Sequence, residues 1–382
     1  MSIVTTGSAT SILARDALTG QALRIAIRAG VIEAVSPTSE DPGERFIAPT
    51  FCDIQINGGL GVSFTSRVLT TDSIRRVTAH CRQHGVGLYL PTVISSDEET
   101  IQSSLTALAT AIESDPALAR AMPGIHLEGP YLSGETGFSG AHPREQIRDP
   151  DWSEFSRWQD AAHGRIRIVT LAPERKGAVA FIEKLVSQGV VVALGHTAAT
   201  GEHIRAAVDA GAVLSTHLGN GCAAMLPRHD NPIWEQLAED RLSASLIADG
   251  HHLPNPILKC LIRAKSTRQT IITCDASPLA GLAPGRYREW GQEFEVLPGG
   301  KIVVPGTPYL AGSGVLTDSC ISHLLNCIDE LPMRDGFEMA CINPRRLLNL
   351  PVPEIRVGTH TSELILFAWQ KGNPIGLLTE FC

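Results

Sequence analysis

Between residues 51 and 276 the chain repeats one texture eight times: a short apolar run rich in β-formers, then a polar or helix-like stretch. The runs are 51–57, 86–92, 123–129, 166–173, 190–196, 213–217, 243–252 and 270–276. Several of the segments between them carry helix punctuation. "DSIRRVTAHCRQHG" reads as a helix opened by an Asp cap at Asp72 and closed at Gly85, and "GAVAFIEKLVSQG" and "GEHIRAAVDAG" also end in glycine. Strand alternating with helix implies a parallel sheet, and eight repeats imply closure into a (β/α)8 TIM-like barrel. An open doubly wound sheet is the rival, but the first strand–helix turn lacks the G-x-G-x-x-G fingerprint.

The flanks differ. Residues 1–48 read as short alternating strands, with "ALRIAIRAGVIEAVSP" turning at Ala29-Gly30. A Gly/Pro-rich stretch covers 277–314, helical segments follow near 315–329 and 334–349, and the tail holds the strand-like "SELILFAWQ". The simplest organisation is a small β-sandwich domain built from both chain ends, 1–48 and 354–382, around a barrel over 49–353.

Composition narrows the function. Apolar residues are 43% and charged residues 19%, which suits a large buried core. The net charge is −8 with no Lys/Arg cluster, so no nucleic-acid or membrane-surface partner is expected. An anionic small substrate stays open, because one local Arg can hold a phosphate. Nine cysteines, odd in number and without a C-x-x-C pair, read as free thiols of a reducing cytoplasm. The opening "MSIVTTGSATS" has no signal-peptide pattern, and no apolar run reaches the length of a membrane span.

In a barrel, the residues that end the strands build the active site. Here run three ends in Glu128, run five in His196, run six in His217, run seven in Asp249 and His252, and run eight in Asp275. Any one of these alone reads as a helix cap or a hydrogen-bonded structural residue. Four converging on one rim suit a metal-assisted hydrolase, with Glu128, His196 and His217 as ligands of a divalent ion and Asp275 as the acid/base. His142, in "GFSGAHP", reads equally as exposed or site-lining. Arg228, in "THLGNGCAAMLPRHDNP", reads as an anion contact or as a surface ion pair. The glycines of that loop let backbone approach a ligand.

"GIHLEGPYL", "GAHP", "LGHTAAT", "THLGNG", "ADGHH", "TCDASPLAG" and "LAGS" follow one another in an order that resembles the N-acetylglucosamine-6-phosphate deacetylase family of the amidohydrolase superfamily. The resemblance covers nearly the whole chain. It implies metal-dependent release of acetate from an amino sugar phosphate, giving glucosamine 6-phosphate. Carried over residue by residue, it makes Glu128, His196 and His217 the metal ligands, Asp275 the acid/base and His142 the residue that polarises the acetyl carbonyl. Asn220, Gly221 and His252 match substrate contacts. Arg228 matches a phosphate-binding Arg supplied across the interface of a homodimer. The chain departs from the family after His217, where Gly219-Asn220-Gly221-Cys222 stands for the usual Phe/Tyr-Asn-Ala-Met. It departs again after Arg228, and at Cys274. Another N-acyl or cyclic amide substrate, or a non-catalytic sugar-phosphate binder, are the competing readings.

"FCDIQING" (51–58) alternates, and as barrel strand one it should place Cys52, Ile54 and Ile56 against the outer helices and Asp53, Gln55 and Asn57 inward. Many amidohydrolases carry His-x-His here to hold a second metal; this chain has Gln55 and Asn57. Neutral amides are poor ligands beside imidazole and carboxylate, so one divalent ion per chain is expected, Zn2+ first, with Fe2+, Mn2+ or Co2+ as other acceptable ions.

Overall fold

The computed structural model describes residues 10–307 and 309–379. The opening 1–9 and residues 380–382, with Cys382 and the outer ends of the expected terminal domain, lie outside the described residues. Four strands begin the chain: β1 (Thr10–Asp16), β2 (Ala22–Arg28), β3 (Val31–Pro37) and β4 (Arg45–Pro49). In β2 the alternation is direct, with Leu23, Ile25 and Ile27 buried and Arg24 and Arg28 exposed. Ala29 and Gly30 turn the chain with φ of 49° and 75°, the left-handed pair that matches hairpin twist. Two C-terminal strands, Leu364–Ala368 and Gly376–Leu377, complete a six-stranded sheet, the first pairing antiparallel with β4. Ile12, Ile25, Ile47, Leu364 and Leu366 form its core.

The next strands are β5 (Phe51–Ile56), the short hairpin β6 (Gly58–Gly59) and β7 (Val62–Ser63), β8 (Val86–Ile94), β9 (Ile125–Glu128), β10 (Ile166–Leu171), β11 (Val191–Leu194), β12 (Leu214–Ser215), β13 (Ser243–Ile247) and β14 (Thr270–Thr273). β5 and β8–β14 lie in sequence order in one eight-stranded sheet. The ring closes where Ile56 bridges Ala276 in parallel and Asn57 N–H donates to the Ala276 carbonyl at 2.8 Å. The TIM-like barrel with a separate small β domain is therefore the observed fold. Helices end as glycine predicts: Gly85, Gly189 and Gly211 follow their helices with φ of 72°, 73° and 109°. The start of the first helix differs from expectation. Thr70 is its N-cap, in a reciprocal box with Ser73, and Asp72 lies inside the first turn.

The barrel interior is layered. Ile54, Leu90, Ile168, Ala193, Leu214 and Ile271 form an apolar floor plugged by Leu348. Above it lies a hydroxyl and imidazole layer. His126 Nε2 lies 2.8 Å from Thr170 Oγ1, which is 2.8 Å from Thr216 Oγ1, and Ser245 Oγ accepts from His217 N–H at 2.7 Å. The strand ends of the candidate site sit above this layer, so polarity rises from floor to rim.

Strand one corrects the expectation from its alternation. Ile54 belongs to the interior floor, and Asp53 turns the other way, accepting from Thr317 Oγ1 on the helix Thr317–Cys327 at 2.6 Å. The pairing of β5 with β8 carries an extra residue between Asp53 and Ile56. Such a bulge shifts the side-chain frame by one, so a polar face read by strict alternation does not stay on one side. Asn57, beyond the bulge, does reach the interior rim.

Asp53 is thereby a clasp at the barrel seam. Its buried carboxylate also accepts from Cys274 N–H at 2.9 Å, Thr273 Oγ1 and Gln55 N–H, joining strand one, strand eight and the helix outside them. Asp53→Ala leaves these donors unpaired inside the protein. Unfolding free energy should fall by about 3 kcal/mol, measured by denaturant titration of the variant against the parent.

The stretch 277–314, expected only as Gly/Pro-rich chain, forms an antiparallel sheet: β15 (Gly285–Glu289), β16 (Gln292–Val296), β17 (Lys301–Val303) and β18 (Leu310–Ser313). Phe294, Val296, Ile302, Ala311 and Leu279 give it a core of its own.

Candidate metal centre and active site

Glu128 ends β9, and three imidazoles surround its buried carboxylate. His217 Nε2 lies 3.0 Å and His196 Nε2 3.4 Å from Oε1, while His142 Nε2 lies 3.8 Å from Oε2. His196 and His217 follow β11 and β12 with φ of 50° and 31°, and Asp275 follows β14 with φ of 51°. Left-handed backbone at three non-glycine residues costs of the order of 1–3 kcal/mol each, and such strain gathers where side chains must be aimed. The packing around His196 shows how it is aimed. Its Nδ1 sits 2.9 Å from the Phe138 carbonyl, which fixes the proton on that nitrogen and turns Nε2 to the centre as an acceptor. Gly140 and Gly221 approach the same ring so closely that a Cβ on either would stand 2.8 Å from its Cε1. Glycine at both places is what allows the ring to sit there.

The donor set fits a divalent ion. One carboxylate oxygen and two imidazole nitrogens lie within 4.8 Å of one another, all buried. Electrostatics agree. Burial alone would raise the Glu128 pKa, but the imidazoles of His196 and His217 packed against it hold it well below the usual carboxylate range. Burial and the neighbouring His196 push His142 down to about 3, so that imidazole is neutral. Ser95 N–H donates to His142 Nδ1 at 3.3 Å, which leaves the His142 proton on Nε2, facing Glu128.

Asp275 stands across from this group. Burial and the Glu128 charge raise its pKa above the carboxylate norm. Asn57 Nδ2 donates to its Oδ1 at 2.7 Å, so the amide at the second of the two positions where many amidohydrolases carry His is engaged with Asp275. Gln55 is buried but outside the cavity wall, and neither atom of its amide has a hydrogen-bond partner among the described residues.

The cavity over these residues measures about 520 Å³, within the range of small-molecule sites. Its wall includes Asn57, Glu128, His142, His196, His217, Asn220, Gly221, His252 and Asp275. Every expected site residue except Gln55 and Arg228 is thus brought together. His252 is held by Asp249, whose Oδ2 lies 2.8 Å from Nδ1 and whose other oxygen accepts the His251 and His252 N–H groups. Arg228 is exposed and outside this wall; its carbonyl accepts from Trp234 Nε1 at 3.2 Å. The residues missed from sequence are those of the added sheet. Trp290, Phe294, Val304, Tyr309 and Leu310 line the side of the cavity it covers. A hairpin signal was available, since "YREWGQEFEV" alternates about a Trp290-Gly291 turn with φ of 46° and 75°.

Comparison with known proteins gives a consistent set. The chain is 32% identical over 331 residues to an N-acetylgalactosamine-6-phosphate deacetylase of Escherichia coli O157:H7, covering 86% of this chain and 85% of that one. It is 36% identical to a human N-acetylglucosamine-6-phosphate deacetylase, covering 83% and 78%. Among solved structures, an N-acetyl-D-glucosamine-6-phosphate deacetylase variant of Mycobacterium smegmatis, in complex with N-acetyl-D-glucosamine-6-phosphate, superposes with a TM-score of 0.84. That match has 30% identity over 97% of this chain and 98% of the other. No family model matches the chain.

Proposed function

The chain belongs to the N-acetylglucosamine-6-phosphate deacetylase family, and from that premise we propose how its own residues carry out the reaction. The enzyme hydrolyses the 2-acetamido bond of N-acetylglucosamine 6-phosphate, with water, to glucosamine 6-phosphate and acetate. The observation that carries this reading is the buried Glu128–His196–His217 group facing Asp275 across one cavity.

Glu128, His196 and His217 hold one divalent ion per chain, zinc being the best match to a carboxylate and two imidazoles. When bound, such an ion polarises the amide carbonyl and makes water acidic enough to attack near neutral pH. Asn57 already donates to Asp275, which supports a single ion. His142, neutral with its proton on Nε2, donates to the carbonyl oxygen as charge gathers there. Asp275 takes the proton from the attacking water and returns it to the sugar nitrogen, so the C–N bond breaks with a neutral amine leaving. Its raised pKa suits both halves of that transfer.

Asn220, Gly221 and His252 contact the sugar phosphate. No Lys or Arg lines the cavity among the described residues, and Arg228 is exposed on the loop after His217. We assign Arg228 to the phosphate of a neighbouring copy in a homodimer. Met225 and Trp234, 91% and 53% exposed in the same segment, supply an apolar face for that contact. The eight described cysteines are free, in keeping with a cytoplasmic enzyme. No helix of the described residues is long and apolar enough to cross a membrane.

The test is acetate release by metal-loaded protein from N-acetylglucosamine 6-phosphate, its galactosamine epimer and unphosphorylated N-acetylglucosamine. The 6-phosphate should raise kcat/KM by about 100-fold or more, and Arg228→Ala should remove most of that preference. No acetate from either phosphorylated sugar would replace this reading with another N-acyl or cyclic amide substrate.

A further inference from the structure

We propose that the sheet β15–β18 is a sugar-reading roof, and that Trp290 is its specificity-determining residue, taking the C–H face of the pyranose ring; this rests on the deacetylase reading above. The cavity has two unlike sides. One holds the Glu128, His196, His217 and Asp275 side chains, and the other is mostly Trp290, Phe294, Val304, Tyr309 and Leu310, with Gln292 as the polar side chain of β16 among them. With no Lys or Arg in this wall among the described residues, the roof side offers aromatic and aliphatic surface in place of a cationic contact. A pyranose is two-faced in the same way, with hydroxyls around its edge and C–H groups on its faces. Apolar surface with a few placed polar groups is how pockets of this size fix orientation.

Trp290 is built to present its ring. Its indole N–H donates to Ser63 Oγ in β7 at 3.1 Å, and its ring meets Phe294 nearly edge-on at 6.0 Å and 84°. With the one polar atom satisfied and the orientation fixed, little rotamer freedom remains to be lost on binding. The roof is also keyed to the reacting groups. Ser313 N–H donates to the Asp275 carbonyl at 2.9 Å, and Ser277 N–H to the Ser313 carbonyl at 2.8 Å. A Cβ on Gly312, at the cavity wall, would stand 2.9 Å from that same Asp275 carbonyl oxygen. The ring seated under Trp290 is therefore placed in register with Asp275, which has to reach the nitrogen on that ring.

The experiment compares the parent, Trp290→Phe and Trp290→Ala on two substrates, N-acetylglucosamine 6-phosphate and the open-chain O-phospho-N-acetylethanolamine. Binding of the product glucosamine 6-phosphate is measured by calorimetry, and bound metal is quantified to show an intact centre. Trp290→Ala should raise KM for the sugar and the product Kd about 10- to 50-fold while kcat stays within about threefold. The open-chain compound should be unaffected, and Trp290→Phe should keep most of the sugar affinity. Unchanged sugar KM and product Kd in Trp290→Ala, or equal losses on both substrates, overturn the roof. A parent that binds glucosamine 6-phosphate through Trp290 yet releases no acetate leaves the roof standing and removes the deacetylase reading instead.

Discussion

Glu128→Gln should empty the metal centre and lower kcat by about 10³-fold or more while leaving the protein folded. Glutamine keeps the volume of the side chain but not its charge, and the charge is what the site is arranged around. Glu128 is the one carboxylate in a group whose other donors are the imidazoles of His196 and His217. A neutral amide at this point leaves two neutral nitrogens to hold a dication. The fold does not depend on that charge to the same degree, because the β9 backbone and its outward residues Ile125 and Leu127 stay packed in the main core. The measurement is metal content after dialysis, beside acetate release. The parent should hold close to one ion per chain and the variant about a tenth of that or less. Retention of metal by the variant would move the ligand role elsewhere, and two ions in the parent would overturn the argument from Gln55 and Asn57.

The barrel was readable because its strands are short apolar runs between glycine-ended helices, and that periodic signal is set by burial on both faces of a parallel sheet. The site was readable for a related reason. Glu128, His196, His217 and Asp275 interrupt apolar runs at their C-terminal ends, where a barrel gathers side chains, so order along the chain predicted proximity in space. What failed were features set by a single residue. The bulge in β5 puts Asp53 and Asn57 on different sides without changing the alternation of "FCDIQING", and only the pairing with β8 reveals it. Thr70 took the cap from Asp72 because Ser73 completes a reciprocal pair with it. The roof sheet was hidden by its own turns: Gly291, Gly299, Gly300 and Gly306 all take positive φ, and glycine at such density reads as loop until the alternation between those turns is scored. Asp249 illustrates the remaining gap. A strand-end carboxylate reads alone as a helix cap or a structural residue, and its particular role in the structure, holding the imidazole of His252, is set by a loop contact that sequence order does not show.

Asp275→Asn separates proton transfer from metal binding, and its outcome should differ from that of Glu128→Gln in every readout but activity. Asparagine preserves shape, and its carbonyl oxygen still accepts the Asn57 Nδ2 hydrogen bond that now runs at 2.7 Å. Metal content should therefore match the parent. The amide has no basic oxygen to take a proton from water and no acid proton to return to the sugar nitrogen. One group serving as base and then acid is worth about 10²–10⁴-fold for each proton transfer, so kcat should fall by about 10³-fold or more with KM little changed. Stability of the metal-free protein gives a second, independent sign. The folded state raises the Asp275 pKa, through burial first and the Glu128 charge second, so the ionised carboxylate disfavours folding. That penalty is absent below the unfolded pKa and is complete once pH has risen through the folded one. Removing the charge relieves it, so metal-free Asp275→Asn should unfold at a higher denaturant midpoint than the metal-free parent at neutral pH, with the gap closing as the solution is acidified. Lower activity together with higher stability marks a residue held in place for chemistry. A variant equally inactive but less stable at every pH would make Asp275 a structural group, and the proton transfer would then need another carrier.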